Sequence, residues 1–174
     1  MPFDLNKSLN ILSRTPEILT ALLKDLPEDW TSANEGGESW SPFTIVGHLL
    51  HGEKTDWLAR TKIILSDAAD KTFEPFDRLA QLKDNQGRKL NDLLEEFSRR
   101  RKANLEEVKK LNITEEMLHK TGVHPVFGEV SLGNLLTTWM THDLNHLYQI
   151  TRVLAKQFKK ESGPWVEFQR ILKD

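Results

Sequence analysis

Apolar residues recur every three to four positions over four long stretches of this chain, the period of helices that turn one face to a core. The clearest stretch follows Ser131. Leu135, Trp139, His142, His146, Gln149 and Val153 form one stripe, and Leu136, Met140, Asp143, Leu147, Ile150 and Leu154 form its neighbour. Ser131 reads as the N-cap, with Val130 before it, and the helix is expected to reach about Lys156. A first helix is expected from about Asp4 to Leu26 on Leu5, Leu9, Leu12, Ile18, Leu19, Leu22 and Leu23. Pro16 within it predicts either a kink or a fresh start capped by Thr15, and Pro27 ends it. Ser41-Pro42 opens a second helix to about Ser66, with Trp40 and Ile45 placed as a hydrophobic staple. A third is expected from about Asn91, a good cap, to Lys110 on Leu94, Phe97, Leu105, Val108 and Leu111.

The segments between them read as connections. Residues 27–39 carry the breakers Asn34, Gly36 and Gly37, flanked by Trp30 and Trp40, both expected to pack down onto the helices. Residues 67–87 form a long crossover that is either a plain connection or a lid. Residues 112–130 hold a short helical turn near Thr114–Met117 and a brief extended run from Val126 to Val130. Gly163-Pro164 opens a short last helix with Trp165, Phe168, Ile171 and Leu172. The pattern predicts an all-α fold: one domain over residues 1–174, a four-helix bundle with a long crossover loop and a short C-terminal helix.

Composition narrows the function classes. The 174 residues carry a formal net charge of −2 with acids and bases mixed. A nucleic-acid surface would need a basic excess, so no nucleic-acid partner is expected. The absence of cysteine excludes disulfides, thiolate ligands and a protein thiol nucleophile. Met1-Pro2-Phe3-Asp4 lacks a basic-then-apolar leader pattern, and no apolar run is long enough to span a bilayer. A cytoplasmic location without membrane association is the expectation.

His142 and His146 are four apart, so both imidazoles lie on one helix face within reach of one ion. His48 falls at a core position of the second helix. One buried histidine is ordinarily a hydrogen-bonded core residue. Three on two helices instead suggest a nitrogen site for zinc, nickel, copper or iron(II), with an open position suited to catalysis. His51, three after His48, reads first as a rim or exposed residue and second as a substitute or added ligand; His119 and His124 read as surface or turn residues, with His124 able to approach the site's mouth. His142-Asp143-Leu144-Asn145-His146 is similar to the H-E-x-x-H zinc motif with Asp for Glu. Asp143 is therefore given a supporting or ion-pair role first and general base second. Gln149, one turn beyond His146, is placed to orient a ligand or fill a helix gap. Gly52, one turn after His48, leaves either substrate space or room for close packing. Arg101 lies on the apolar stripe, where a buried ion pair is the first reading and an anionic substrate group the second; Arg99, Arg100 and Lys102 read as a solvated face paired with Glu95 and Glu96.

These residues carry a resemblance. Trp40-Ser41-Pro42, His48-Leu49, Glu53, Trp57, Arg60 and Arg101 continue into His124-Pro125-Val126-Phe127-Gly128-Glu129-Val130. The run His142 to Arg152 and Gly163-Pro164-Trp165 complete it. Together they resemble the DinB/YfiT-like superfamily of metalloenzymes. That resemblance implies an up-down-down-up style bundle, a three-histidine zinc or nickel site, and a homodimer. It also implies kinship with transferases and isomerases that use a low-molecular-weight thiol such as bacillithiol or mycothiol. Any sulfur must then arrive as a cosubstrate. The sequence-level expectation is a metal site on His48, His142 and His146 that activates a small thiol, or water, against an electrophilic small molecule. S-transfer comes first and hydrolysis second; a metal-binding or dimeric stress-related module without turnover is the alternative.

Overall fold

The computed structural model describes residues 4–173. Met1–Phe3, on which the leader argument partly rests, lie outside them. Helices α1 (Leu5–Leu23), α2 (Glu28–Ser32), α3 (Pro42–Thr55), α4 (Trp57–Leu65), α5 (Ala80–Asp84), α6 (Leu90–Lys110) and α7 (Leu132–Lys156) account for most of the chain. A hairpin of β1 (Thr121–His124) and β2 (Gly128–Ser131) precedes α7, with Thr121 opposite Ser131 and His124 opposite Gly128. The expected four-helix bundle is formed by α1, the α3–α4 rod, α6 and α7. Helix α1 packs on α6 and α7, and α3 packs on the same two. Helix α1 therefore sits diagonally from α3 and α6 from α7, so residues 24–41 and 111–131 make the crossings, while residues 66–89 join the adjacent α4 and α6.

Local chemistry sets the helix starts. Asp4 caps α1 by accepting from the Lys7 N–H, and Ser41 caps α3 by accepting from the Thr44 N–H at 3.2 Å. Ser131 and Asn134 close a reciprocal box at the start of α7: Ser131 Oγ accepts from the Asn134 N–H and Asn134 Oδ1 from the Ser131 N–H, both at 3.1 Å.

Pro16 neither splits α1 nor ends it. Lacking an N–H, it leaves the carbonyl of Leu12 without its usual i+4 donor. Arg101 Nη1 fills that place at 2.8 Å.

The structure corrects several expected boundaries. The helix foreseen from residue 42 to 66 breaks at Asp56, whose backbone lies at φ −114°, ψ −79°. The break lets the Trp57 indole fold back over Gly52; a Cβ on Gly52 would lie 3.0 Å from Trp57 Nε1. Helix α6 starts at Leu90 with Lys89 in the cap position and no side-chain cap, and Asn91 lies inside the helix, where it bonds Asp25 (2.9 Å). Helices α2 and α5 occupy expected loops; each is only five residues, too short to show a period. The helical turn of the second connector is a 3-10 turn at Glu116–His119, two residues later than expected. The extended run there is half of a hairpin, and its tight turn uses Gly128 at φ +73°. The C-terminal segment forms the 3-10 turns Gly163–Phe168 and Arg170–Leu172 rather than a helix, with Leu172 buried while Trp165 and Phe168 are exposed. Trp40 is half-buried, whereas Trp30 stays partly exposed against Phe158.

Two apolar clusters fill the bundle. One gathers Leu9, Leu12, Trp57, Ile64, Leu105, Val108, Leu136 and Trp139; the other gathers Leu19, Leu23, Ile45, Leu49, Leu93, Phe97 and Ile150. Along α1, α3, α6 and α7 alike, the residues between these clusters are polar or hold a polar contact: Thr15 and Pro16, Glu53, Arg101 and Asn104, His142, Asp143 and His146. The bundle thus carries a polar layer across its waist. Burying such groups costs free energy unless each has a partner, so the layer shows where composition serves something besides stability.

Candidate metal centre

The layer has two parts. In the first, Arg101 is 1% exposed and forks onto Asp143, with Nη1 to Oδ2 at 2.6 Å and Nη2 to Oδ1 at 3.0 Å. Its Nη2 also reaches Glu53 Oε1 at 2.9 Å. Glu53 in turn accepts from Trp139 Nε1 (2.9 Å) and Asn104 Nδ2 (2.9 Å). Burial pushes the Glu53 carboxyl up against the pull of Arg101. Burial alone would depress Arg101, and the two carboxylates more than offset it. This network supplies its own cation, and among its described side-chain atoms only Arg101 Nε is buried without a partner.

The second part is built from His48 on α3 and His142 and His146 on α7. The Nε2 atoms of His48 and His142 lie 3.1 Å apart, and those of His146 and His142 also 3.1 Å. The three ligand atoms all fall within 4.8 Å of one another. His146 Nδ1 lies 2.9 Å from Gln149 Oε1, an atom that only accepts, so the ring's proton belongs on Nδ1 and its Nε2 lone pair faces the cluster. Burial, then the neighbouring rings and Arg78, hold His48 and His142 down to about 3; burial also lowers His146. All three rings are thus neutral near neutral pH, the form that binds metal. Trp40 packs over the site, 4.9 Å from His48 and stacked at 6.4 Å on His146, and Trp57 meets His142 edge-on at 5.2 Å.

The three nitrogens open onto a cavity of about 430 Å³. Trp57, Phe73, Phe76 and Phe127 make its aromatic walls, and Asp56, Arg60, Arg78, His124 and Asn145 its polar points. A larger hollow of about 560 Å³ lies against α5 and the start of α6, among amide and charged side chains, and holds no histidine. The converging nitrogens, rather than size, mark the site.

The sequence profile of the DinB superfamily matches residues 11–150, a span that includes all three histidines. The chain belongs to the DinB superfamily. No curated protein sequence matches it. Among solved structures it is similar to YfiT from Bacillus subtilis, described as a probable metal-dependent hydrolase with an unusual four-helix bundle topology. The TM-score is 0.75 at 16% identity, over 90% of this chain and 93% of that one.

Within this DinB fold the other anticipated residues are placed as follows. Gln149 touches His146 through its amide oxygen. Asp143 is fully buried with both oxygens on Arg101, and neither it nor Arg101 lines the cavity. Gly52 does line it, beneath Trp57. His51 lies at the rim beside Phe76 (5.1 Å) and 3.9 Å from Asp84. His119 ends the Glu116–His119 turn and lines no part of the cavity, whereas His124 does.

Sequence reasoning missed three contributors. By its position Trp40 reads as half of a staple, yet its ring lies against two of the histidines. Arg78 was unremarkable in a loop; its guanidinium sits over Trp40, 4.8 Å from the ring centroid. Asp56 is 8% exposed, paired with Arg60, and pushed up to about 6 by burial. No periodic signal marks a loop arginine or a residue at a helix break; Gly52 five residues before Trp57 is the one hint the sequence holds.

Proposed function

We propose that this DinB protein is a metal-dependent enzyme in which His48, His142 and His146 hold one divalent ion, zinc or nickel, at the foot of the aromatic cavity. The observation that carries this reading is the meeting of three Nε2 atoms at 3.1 Å contacts, with the His146 lone pair already directed inward. No side-chain cation occupies that point among the described residues. The donor set is three neutral imidazoles without thiolate or carboxylate, which fits a borderline divalent ion with an open position. When bound, such an ion lowers the pKa of a water or thiol and polarises an electrophile.

The protein's own residues do the rest. Gln149 fixes the His146 ring, and Asp143 is tied to Arg101, which anchors α7 against α6 and α1 beside the adjacent His142. Trp40, Trp57 and Phe76 exclude water from the nucleophile's side and leave room for an apolar electrophile. Without cysteine, the chain cannot supply sulfur, and the cavity is large enough for a second small molecule. S-transfer from a low-molecular-weight thiol to an electrophilic small molecule is the first reading. Hydrolysis is the second, supported by the description of YfiT.

We also propose a homodimer in the cytoplasm. The support is a set of exposed apolar side chains: Leu144 and Tyr148 on α7, and Trp165 and Phe168 beyond it. Light scattering that returns a monomer at micromolar concentration would remove the dimer.

The test of function is turnover of monochlorobimane by zinc- and nickel-loaded protein with several small thiols, alongside hydrolysis of activated esters without thiol. Thiol-dependent turnover that disappears in His142→Ala is expected. Ester cleavage without thiol would move the assignment to hydrolysis, and turnover unchanged in His142→Ala would end both readings.

A further inference from the structure

His124 differs from the other histidines of the cavity. It stands at the end of β1, and its Nδ1 accepts from two backbone N–H groups, those of Val126 (3.1 Å) and Phe127 (3.2 Å). A ring nitrogen that accepts cannot carry a hydrogen, so the single proton of the neutral ring belongs on Nε2. Burial, then the nearby Arg60 charge, lowers the pKa of His124 and keeps that ring neutral.

The ring is also held in place. It stacks on Phe127 at 4.5 Å and 22°, and meets Phe73 edge-on at 6.3 Å. The hairpin beneath is bonded to the crossover: the Phe73 N–H donates to the Val123 carbonyl (2.9 Å), and the Val123 N–H donates to that of Lys71 (3.0 Å). Gly122 permits the contact, since a Cβ there would lie 2.6 Å from the Phe73 ring. Nε2 has no protein hydrogen-bond partner among the described residues, and it is not one of the sealed, unpartnered polar atoms. His124 lines the same cavity as the three clustered histidines.

We propose that His124 is a substrate-binding residue whose Nε2–H donates a hydrogen bond to an acceptor oxygen of the small molecule in the cavity. The turn dictates the tautomer, the two phenylalanines fix the direction, and the donor is free. A carbonyl, carboxylate or comparable oxygen is the class of group it takes; a hydrocarbon offers it nothing. This rests on the cavity being the substrate site of the proposed enzyme, but it does not need the ion in place.

The experiment has two readouts. Long-range ¹H–¹⁵N correlation of the wild-type protein gives the tautomer of His124, expected to carry its proton on Nε2. Binding of 4′-fluoroacetophenone and of 1-ethyl-4-fluorobenzene is then followed by ¹⁹F NMR, in zinc-loaded and metal-stripped protein. His124→Asn keeps an acceptor for the two turn N–H groups, as asparagine does in such turns, and removes the donor from the Nε2 position, which its shorter amide does not reach. His124→Gln keeps a donor near the Nε2 position and gives up the turn acceptor.

One lost hydrogen bond predicts that His124→Asn weakens the ketone about three- to ten-fold and leaves the hydrocarbon unchanged, in both metal states. His124→Gln is expected to bind the ketone better than His124→Asn despite a lower melting temperature. A proton on Nδ1, equal loss for both probes, no loss for the ketone, the reverse order of the two variants, or no saturable ketone binding by wild type would each overturn the proposal. Zinc content, measured on the same samples, reports separately on the proposed ion site.

Discussion

His142 and Asp143 are neighbours in sequence and belong to opposite kinds of buried polar cluster. Asp143 joins Arg101 and Glu53, where two carboxylates surround a guanidinium and the side-chain NH2 groups of that guanidinium are spent on oxygen. His142 joins His48 and His146, where three nitrogen lone-pair positions meet and no protein side chain supplies a positive charge between them. Both clusters sit in the same layer, between the same two apolar halves. The first carries its own counter-charges, and of the guanidinium only Nε is left buried without a partner. The second has the composition of a coordination site, and its ring nitrogens are kept neutral by burial. A buried polar cluster with its own counter-charges helps hold a fold in register; the converging cluster is where the proposed ion would bind.

Removing the cation from the first cluster has the largest expected effect. Arg101→Leu leaves Glu53 and Asp143 buried without a counter-charge and should cost about 3–5 kcal/mol in denaturant unfolding. A loss below about 1 kcal/mol would show that the two carboxylates do not depend on Arg101 for their counter-charge.

Supplying a cation to the open cluster is next. Zinc at a hundred times its dissociation constant should raise unfolding stability by about 2.7 kcal/mol. Chelator should reverse the gain, and His48→Ala should abolish it. Equal stabilisation of the variant would place the ion elsewhere.

Asp56 and Arg60 sharpen the contrast, because they form a buried pair at the wall of the cavity. Burial raises Asp56 to about 6 from its usual 3.8. Between those two values the folded state holds a proton that the unfolded state has lost. Stability should therefore fall as pH rises through that window, and the slope should flatten in Asp56→Asn. A slope unchanged in the variant would remove Asp56 as its source.

The smallest effect belongs to a third ionic cluster, Glu35 with Arg152 and Lys156, at a partly exposed edge. The same chemistry in water should be worth under about 1 kcal/mol in Glu35→Ala, measured by the same unfolding experiment.

The sequence made this layer legible only in part. The four apolar stripes showed where each helix faces inward, so His48, His142, His146 and Arg101 stood out as polar residues on apolar faces. The partners of Arg101 were not legible. Its bond to the Leu12 carbonyl exists because Pro16 withholds an N–H four residues later, and reading that requires knowing that α1 and α6 touch there. Asp56 and the Trp57 turn were hidden inside a run that scores as one helix. Trp40 and Arg78 reach the histidines from separate loops, and loop paths are set by packing rather than periodicity. His124 reads in the sequence as a surface or turn residue able to approach the site's mouth; it ends β1 and lines the cavity, and its Nδ1 holds the following turn, which supports the role proposed for its other nitrogen.

The most direct measurement is elemental analysis of zinc-loaded, gel-filtered protein beside His48→Ala, His142→Ala, His146→Ala and, as a control outside the cluster, His119→Ala. One ion per chain in the wild type and His119→Ala, falling to near zero in the other three, is the result predicted. Metal retained in any of those three, or none bound by the folded wild type, would contradict the account.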